Sequence, residues 1–469
     1  MTLSTSTRPS VQEALQTFIH AYNQRTQTSK ARAQTYRTVL ADRRLSDGFC
    51  HPLKELVYPI VGHHGEGSRF WDIDQNEYLD LAMGFGTALF GHNPPFIRAA
   101  IAERLDCGFA LGPQSDLAGE VAQLICDLTK MERVTFCNTG TEAVMTALRL
   151  ARAATGRQKI AFFSRSYHGH SDGTLLEQGM EAGQPQTIPS ALGVPTTLAE
   201  TTLVLDYGEP SALAEITAHA DDLAAVLVEP VQDACPDLQP QAFLQDLRSL
   251  THAKGIALIF DEMLTGFRIH PGGAQAWFGI DADIATYGKI IGGGLPIGVI
   301  AGKGTYMDRI DGGAWTFGEN SAPTVEKTFF AGTYCKHPLS MAAALAVLTH
   351  LKECGPALQQ SLNNKTERFI SSMNHYFHSE DLPIQLANFG SLFNVISDRT
   401  ASEKHAPSQA LPPERIVFEL MNYHLIYRGI YLLSGGGFLS TAHTDADCDR
   451  VLEAVRDTVR ELRESGLLP

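Results

Sequence analysis

The sequence predicts an α/β protein with one large, mostly parallel sheet and a smaller α+β part. Three observations predict it. Between about 95 and 335, short β-rich runs alternate with helical ones. The β-rich runs are almost continuously apolar, as strands covered on both faces are. The chain has 469 residues, which is too long for one small core, so two or more lobes are expected.

Residues 11 to 45 are polar with apolar residues at helical spacing (Val11, Leu15, Phe18, Ile19, Tyr22), which predicts one or two helices lying on another surface. Residues 68–84 read as a hairpin, with Trp71 and Ile73 before a DQN turn and Tyr78 and Leu81 after it. The expected strands of the large sheet are VTFC (134–137), KIAFF (159–163), TLVL (202–205), AAVLVE (224–229) and IALIFDE (256–262), with the short run IATYG after them. Helical segments at 142–155 and 240–254 separate them. From 338 to 378 the pattern is helical. Short strands return at 391–397 and 429–433, and a helix closes the chain at 445–465. Residues 399–413 (RTASEKHAPSQALPP) read as a surface loop. The division expected is 1–90 for the N-terminal helical segment with part of the small domain, 91–337 for the large domain, and 338–469 for the C-terminal part of the small domain. No internal repeat is present.

Composition excludes some functions. Apolar residues make up 44% and charged residues 19%, ordinary for a soluble enzyme. A net charge of -15 argues against a general nucleic-acid binder or a binder of anionic membranes, since both need a basic face. A local basic patch stays compatible with it. No apolar run approaches the roughly 18 residues of a membrane span. The start, MTLSTSTRPS, lacks the apolar core of a signal peptide. Eight scattered cysteines without a CxxC pair fit reduced thiols in a cytoplasmic protein.

In open α/β sheets ligands collect at the carboxyl ends of the strands, so the residues just past each strand carry the chemistry. After VTFC comes NTGTEA. Gly140 permits an unusual backbone angle, and Thr141 offers an N–H and a hydroxyl where a helix begins. That pattern suits an anion such as a phosphate, or is an ordinary helix cap. After KIAFFSR comes SYHGHSDG. Tyr167 is a flat aromatic able to stack on a planar ligand. His168 and His170 lack neighbours with metal-ligand spacing, so no metal site is expected. Glu229 ends one buried strand and Val231 lies just past its turn. Asp261 ends another, where an anion wants a cation.

Lys289, in YGKIIGGGLPIG (287–298), stands among apolar residues and glycines. Burying an unpaired ammonium costs several kcal/mol, roughly. A desolvated lysine has a lowered pKa and becomes a nucleophilic amine suited to a Schiff base. A phosphate nest, a stacking aromatic, a buried acid and an amine are together what pyridoxal 5′-phosphate needs, and the acid keeps its pyridine nitrogen protonated.

The segment LIFDEMLTGFRIHPGGAQAWFGIDADIATYGKIIGGGLPIGVIAGK (258–303) resembles the signature of class III aminotransferases of the pyridoxal-phosphate fold type I, whose large domain carries a seven-stranded sheet. Within that class it is similar to glutamate-1-semialdehyde 2,1-aminomutase. CNTGTEAVMTALRLARAATGR, SYHGHSDG, VEPV and GFLSTAHTD match in the same order, so the likeness covers about residues 50 to 465. The resemblance implies that Lys289 carries the cofactor and Asp261 holds its pyridine nitrogen. It further implies that Gly140 and Thr141 hold the phosphate, that Tyr167 and Val231 sandwich the ring, and that Glu229 belongs to the same pocket. Thr333, in AGTYCKHPLSMAAALA, would reach the phosphate of another subunit, giving a homodimer with shared sites. An arginine usually grips the donor carboxylate in this class; Arg165, Arg268 and Arg428 are the candidates.

YRTVLADRRLSDGF, MGFGTALFGHNPP, FALGPQS, DGGAWTFGENSAP and FFAGTYCKHPLSMAAA resemble more closely the aminotransferase domains of hybrid polyketide–peptide synthetases of the iturin and microcystin type. This resemblance implies amination of a β-ketoacyl thioester on an acyl carrier protein, with an amino acid, glutamate by family analogy, as donor. An aminomutase, which needs no outside donor, is the alternative. A non-catalytic scaffold of the same fold is disfavoured because Lys289, Asp261, Gly140 and Thr141 are all present.

Overall fold

The structure, a computed structural model, describes residues 11–46, 49–181, 184–396, 413–433 and 435–468. Of the expected loop at 399–413, only Pro413 is described, and it opens the helix Pro413–Tyr427; the rest lies outside the described residues.

Seven strands form the central sheet: β1 (Arg133–Cys137), β2 (Lys159–Phe163), β3 (Thr202–Leu205), β4 (Leu223–Val228), β5 (Ala257–Asp261), β6 (Ile284–Tyr287) and β7 (Gly298–Gly302). Their order is β1-β7-β6-β5-β4-β2-β3. The pairs made by β6, β5, β4, β2 and β3 are parallel, and β7 runs antiparallel to both of its neighbours. Every residue of β4, β5 and β6 is buried, as their apolar runs require. Burying each Val, Leu or Ile side chain contributes roughly 2 kcal/mol. The strand β7 was not among those expected. GVIAG is glycine-bordered and carries little strand signal, yet only glycine fits at 298, where a Cβ would lie 2.2 Å from the Thr139 carbonyl oxygen and 2.6 Å from Cys137 Sγ.

Because the other six strands run one way, their carboxyl ends share one edge of the sheet. That edge gathers residues 138–141, 164–170 and 229–233 with Asp261 and Lys289. Helix Gly140–Thr155 packs Ala143, Val144, Ala147, Leu148 and Ala151 into the core and so aims its N-terminus at this edge.

Both ends of the chain build the rest. Helices Val11–Arg25 and Gln27–Tyr36 confirm the N-terminal periodicity, with Phe18, Ile19 and Tyr22 buried. The expected hairpin is Arg69–Asp72 with Glu77–Asp80, extended by Gly62–Glu66 on one side. On the other side Ile430–Tyr431 pairs with it in parallel. The helical run at 338–378 is two helices, Pro338–Cys354 and Pro356–Ser379. Gly355 at φ 60° and Pro356, which lacks an N–H, break it. A polar hairpin, Leu176–Glu181 with Gln184–Pro189, had no sequence signal. The closing helix Asp445–Glu464 starts at a Thr444–Asp447 capping box. All eight cysteines are free. Among the described residues no helix is long and apolar enough to cross a membrane.

Candidate active site

Asp261 ends β5, with its carboxylate enclosed by three donors. Thr286 Oγ1 at 3.0 Å and the Met263 N–H at 3.2 Å meet Oδ1, and His168 Nδ1 lies 2.7 Å from Oδ2. A carboxylate offers about four acceptor positions, so one remains open. As Asp261 can only accept when ionised, Nδ1 of His168 carries the proton. Its Nε2 is buried without a partner. The loop after Asp261 is rigid because Glu262 accepts from Thr265 Oγ1 and from the N–H groups of Ala274 and Gln275.

Lys289 comes after β6 on a 3-10 turn, Lys289–Gly292, at φ 42°. A left-handed conformation costs a non-glycine residue roughly 1–2 kcal/mol and is often found where function fixes a side chain. Burial lowers its pKa, against the upward pull of Asp261, Glu229 and Asp233; Arg268 pushes the same way as burial. The amine is therefore more easily freed of its proton than an ordinary lysine's.

Glu229 stands one residue past β4. Its carboxylate accepts from the Tyr167 N–H and the Asp233 N–H, both at 3.3 Å, so one side chain ties together the two loops that carry Tyr167 and Val231. Burial pushes its pKa well above the usual range, and the nearby charges of Asp261 and Asp233 add to this. Val231 is fully buried, whereas the Tyr167 side chain stands open at 67% exposure.

At the helix start the structure assigns the cap to one of the two threonines. Thr139, not Thr141, is the cap: its hydroxyl accepts from the Glu142 N–H, and Glu142 accepts in return from the N–H groups of Asn138 and Thr139. The N–H groups of Gly140 and Thr141 sit on the first turn, where a helix offers no internal acceptor. The Thr141 hydroxyl receives the His170 N–H at 3.3 Å. Close packing holds this corner: a Cβ on Gly140 would lie 3.0 Å from Met263 Sδ, and one on Gly169 would lie 2.5 Å from Thr141 Oγ1.

The expected site residues Gly140, Thr141, Tyr167, Glu229, Val231, Asp261 and Lys289 thus meet at one sheet edge. Thr333 does not join them. It is exposed, lining a surface groove with Gly112, Gln114 and Lys336. The three arginines separate. Arg428 pairs with Glu461 on the closing helix, away from this edge. Arg165 reaches Cys235 Sγ at 3.6 Å. Arg268 is fully enclosed: its Nε donates to the Leu264 carbonyl, Nη1 to Ser391 Oγ and Nη2 to the Gly86 carbonyl, and Phe438 lies 4.8 Å from its Cζ. Burial lowers its pKa to about 10. Sequence reasoning considered His168 only as a metal ligand and missed Thr286 and Asp233 entirely. The position of His168 directly after Tyr167 at a strand end was the one signal available. Among the described residues no cluster could hold a metal.

The family model Aminotransferase class-III matches residues 52–430. A glutamate-1-semialdehyde 2,1-aminomutase of Chloroflexus aggregans is 36% identical over 418 residues, 86% of this chain and 91% of the relative. One of Desulfitobacterium hafniense is 38% identical over 412 residues, again 86% and 91%. Among solved structures, an omega-transaminase from Sphaerobacter thermophilus superposes with TM-score 0.81 at 28% identity, covering 93% of this chain and 98% of that one. A β-phenylalanine aminotransferase from Variovorax paradoxus does so with TM-score 0.79 at 30% identity, covering 97% and 98%. The chain belongs to the class III aminotransferases, enzymes that depend on pyridoxal phosphate.

Proposed function

We propose that this aminotransferase moves an amino group from an amino acid donor onto the β-keto group of an acyl chain held as a thioester on a carrier protein. The observation that carries the acceptor half is the engagement of Arg268, whose Nε, Nη1 and Nη2 all donate to protein acceptors, while the other side chains acting electrostatically on Lys289 are the acids Asp261, Glu229 and Asp233. A small keto acid needs a cation at its carboxylate, and a thioester does not. The sequence likeness to synthetase-embedded domains points the same way.

The residues present fit the cofactor. Asp261 has one acceptor position left for a pyridinium N–H, and the first-turn N–H groups of Gly140 and Thr141, with the Thr141 hydroxyl, suit a phosphate. In this reading Tyr167 and Val231 would flank the ring, from the two loops that Glu229 ties together. Pyridoxal phosphate supplies an aldehyde for an amine to hold and a protonated ring that draws electrons from the substrate carbon. His168 and Thr286 orient Asp261 toward the position the ring nitrogen would take. Lys289, once displaced by the donor, acts as base and then acid, moving one proton at the reacting carbon. Burial lowers its pKa, which favours the neutral form that accepts a proton.

Thr333 serves a second copy in this reading, so that each site needs two chains. Mixing an inactive Lys289→Ala subunit with an impaired Thr333→Ala subunit, with exchange verified, is expected to restore activity; no recovery contradicts the shared site.

The second reading is the aminomutase, favoured by the names of the curated relatives at 36–38% identity. The deciding assay gives the enzyme a β-ketoacyl carrier protein with and without glutamate or another amino acid and weighs the carrier. Donor-dependent gain of an amine is expected. Donor-independent conversion of glutamate semialdehyde to 5-aminolevulinate, with no carrier aminated, overturns the proposal in favour of the aminomutase.

A further inference from the structure

We propose that the cationic face of residues 30–44 is the docking surface for an acidic carrier-protein domain, and that the furrow leading from it past Phe85 takes the arm that bears the acyl chain. The inference rests on the β-ketoacyl reading above and names the surface which that reading requires.

At a net charge of -15 the chain as a whole repels an acidic partner, which can settle only where the local charge is reversed. Residues 27–46 hold five cations, Lys30, Arg32, Arg37, Arg43 and Arg44, against one acid, Asp42. Lys30 is paired with Glu55, and Arg44 with Asp42. Arg32 and Arg37 are exposed, and among the described residues their guanidinium groups have no hydrogen-bond or ion-pair partner. A second basic run, 149–159, is built differently. Its three arginines, Arg149, Arg152 and Arg157, donate to backbone carbonyls, and Lys159 pairs with Asp222.

Apolar side chains complete the surface. Tyr36, Val39 and Leu40 are all exposed, on a turn in which the Val39 and Leu40 N–H groups both donate to the Tyr36 carbonyl. Large apolar groups beside arginine are the composition of a protein-binding patch, whereas a plain solvated face is polar throughout. The stretch is held in place at its start. Asp74 accepts the N–H groups of Thr28 and Ser29, and Ser29 Oγ accepts that of Val61.

A path leads from this face toward the lysine. Leu45, next to Arg44, packs against the same apolar cluster as Phe70 and Tyr431. Those two rings line a groove that continues past His63, His64 and Phe85. Gly84 and His92 line both this groove and the next, which includes Gly293 and Gly294, just past the Lys289 turn. The wall between them is strained: Met83 and Phe85 have φ 44° and 57°, and Phe85 is exposed. Left-handed backbone at non-glycine residues persists where function fixes a side chain. The Gly86 carbonyl accepts from Arg268, which ties this wall to the loop after Asp261. A phosphopantetheine arm is long and thin and carries amides and a phosphate, so a groove edged by imidazoles and aromatic rings suits it.

The test uses the full chain loaded with the amine form of the cofactor. A β-ketooctanoyl chain is offered in single turnovers on an acidic acyl carrier protein and, separately, on free pantetheine, and the products are weighed. Arg32→Glu with Arg37→Glu is expected to raise the carrier concentration needed for half-maximal rate on the order of tenfold at low salt. The pantetheine rate should stay within a few-fold of wild type. Added salt should narrow the gap by weakening the wild type. Val39→Ser with Leu40→Ser should weaken carrier use in the same selective way. Arg368→Glu with Arg460→Glu makes the same change in net charge on exposed residues of two other helices and should leave carrier use within a few-fold. Equal loss from that control, equal loss on carrier and pantetheine, or equal efficiency of the wild type on the two thioesters overturns the docking surface. The carrier reading fails differently. If the wild type converts neither thioester, that reading falls and the docking surface with it. If the wild type converts the carrier-bound chain and Arg32→Glu with Arg37→Glu does so equally well, the reading stands and the docking surface falls.

Discussion

Two buried groups of acids in this molecule are built in opposite ways. On the hairpin sheet, Asp72 accepts from the Asp74 N–H, the Asn76 N–H, Asn76 Nδ2 and Tyr78 Oη, all at 2.8–2.9 Å. Asp80 accepts from the N–H groups of Ala82 and Met83 and pairs with His92. Asp447 takes Arg69 and the Thr444 N–H, and although burial raises its carboxyl, these donors leave it below its ordinary value. At the sheet edge, Asp261 keeps an acceptor position open, Asp233 has no ion-pair partner among the described residues, and burial drives Glu229 well above its usual range. The first group holds the two ends of the chain together. The second lies at the sheet edge with Lys289, where burial raises Glu229 and Asp233, the kind of perturbation that marks a functional site.

This contrast can be broken by substitution, with effects expected to diminish from one variant to the next. Lys289→Ala abolishes turnover while the fold stays intact, read by steady-state assay and circular dichroism; wild-type turnover would remove Lys289 from the role. Asp261→Asn lowers kcat by at least about a hundredfold because an unprotonated ring is a poorer electron sink. The cofactor is retained through its phosphate, so absorbance persists; a rate within a few-fold of wild type would sink the assignment. Asp72→Ala has the reverse profile. It leaves buried donors unsatisfied and destabilises by about 3 kcal/mol in denaturant titration, while kcat per folded molecule is unchanged.

The pH dependence separates the groups more finely. Burial lowers His443 to about 4. Its folded pKa lies below the unfolded value of about 6.5, so stability is full above about 6.5 and declines as pH falls toward 4, by up to about 3 kcal/mol. Glu229 is raised, so its carboxyl contributes most stability below its ordinary pKa, and that contribution fades as pH rises through its folded value. His443→Asn should flatten the acid side of the stability profile, and Glu229→Gln the opposite side. Urea midpoints across pH 4–8 measure both, and a profile unchanged by either substitution would contradict the assignment to that group.

The sequence showed the sheet because β2 to β6 are runs of Val, Ile, Leu, Phe and Ala that only a doubly covered sheet can bury. It showed Lys289 and Asp261 because charge in such a setting demands a reason. It did not show β7, whose Gly298 serves close approach to Thr139, or the hairpin at 176–189, whose residues are mostly polar. The His168–Asp261 bond spans 93 positions, a distance over which no periodicity speaks. The cap fell on Thr139 and not Thr141 because both threonines precede an acid at plausible spacing, and only the backbone angle separates them: Thr139 is extended. Asp233 was passed over because a loop acid after a turn is ordinary in sequence. Its lack of an ion-pair partner is visible only in three dimensions.

A chemical experiment probes the role of Lys289 without any assumption about substrate. Reducing the purified, cofactor-loaded protein with borohydride and mapping its peptides by mass should place the cofactor's mass increment on the peptide carrying Lys289, with the increment lost in Lys289→Ala. An increment on another lysine, or none on a protein that binds the cofactor, would contradict the reading that the acids at the sheet edge serve an amine at 289.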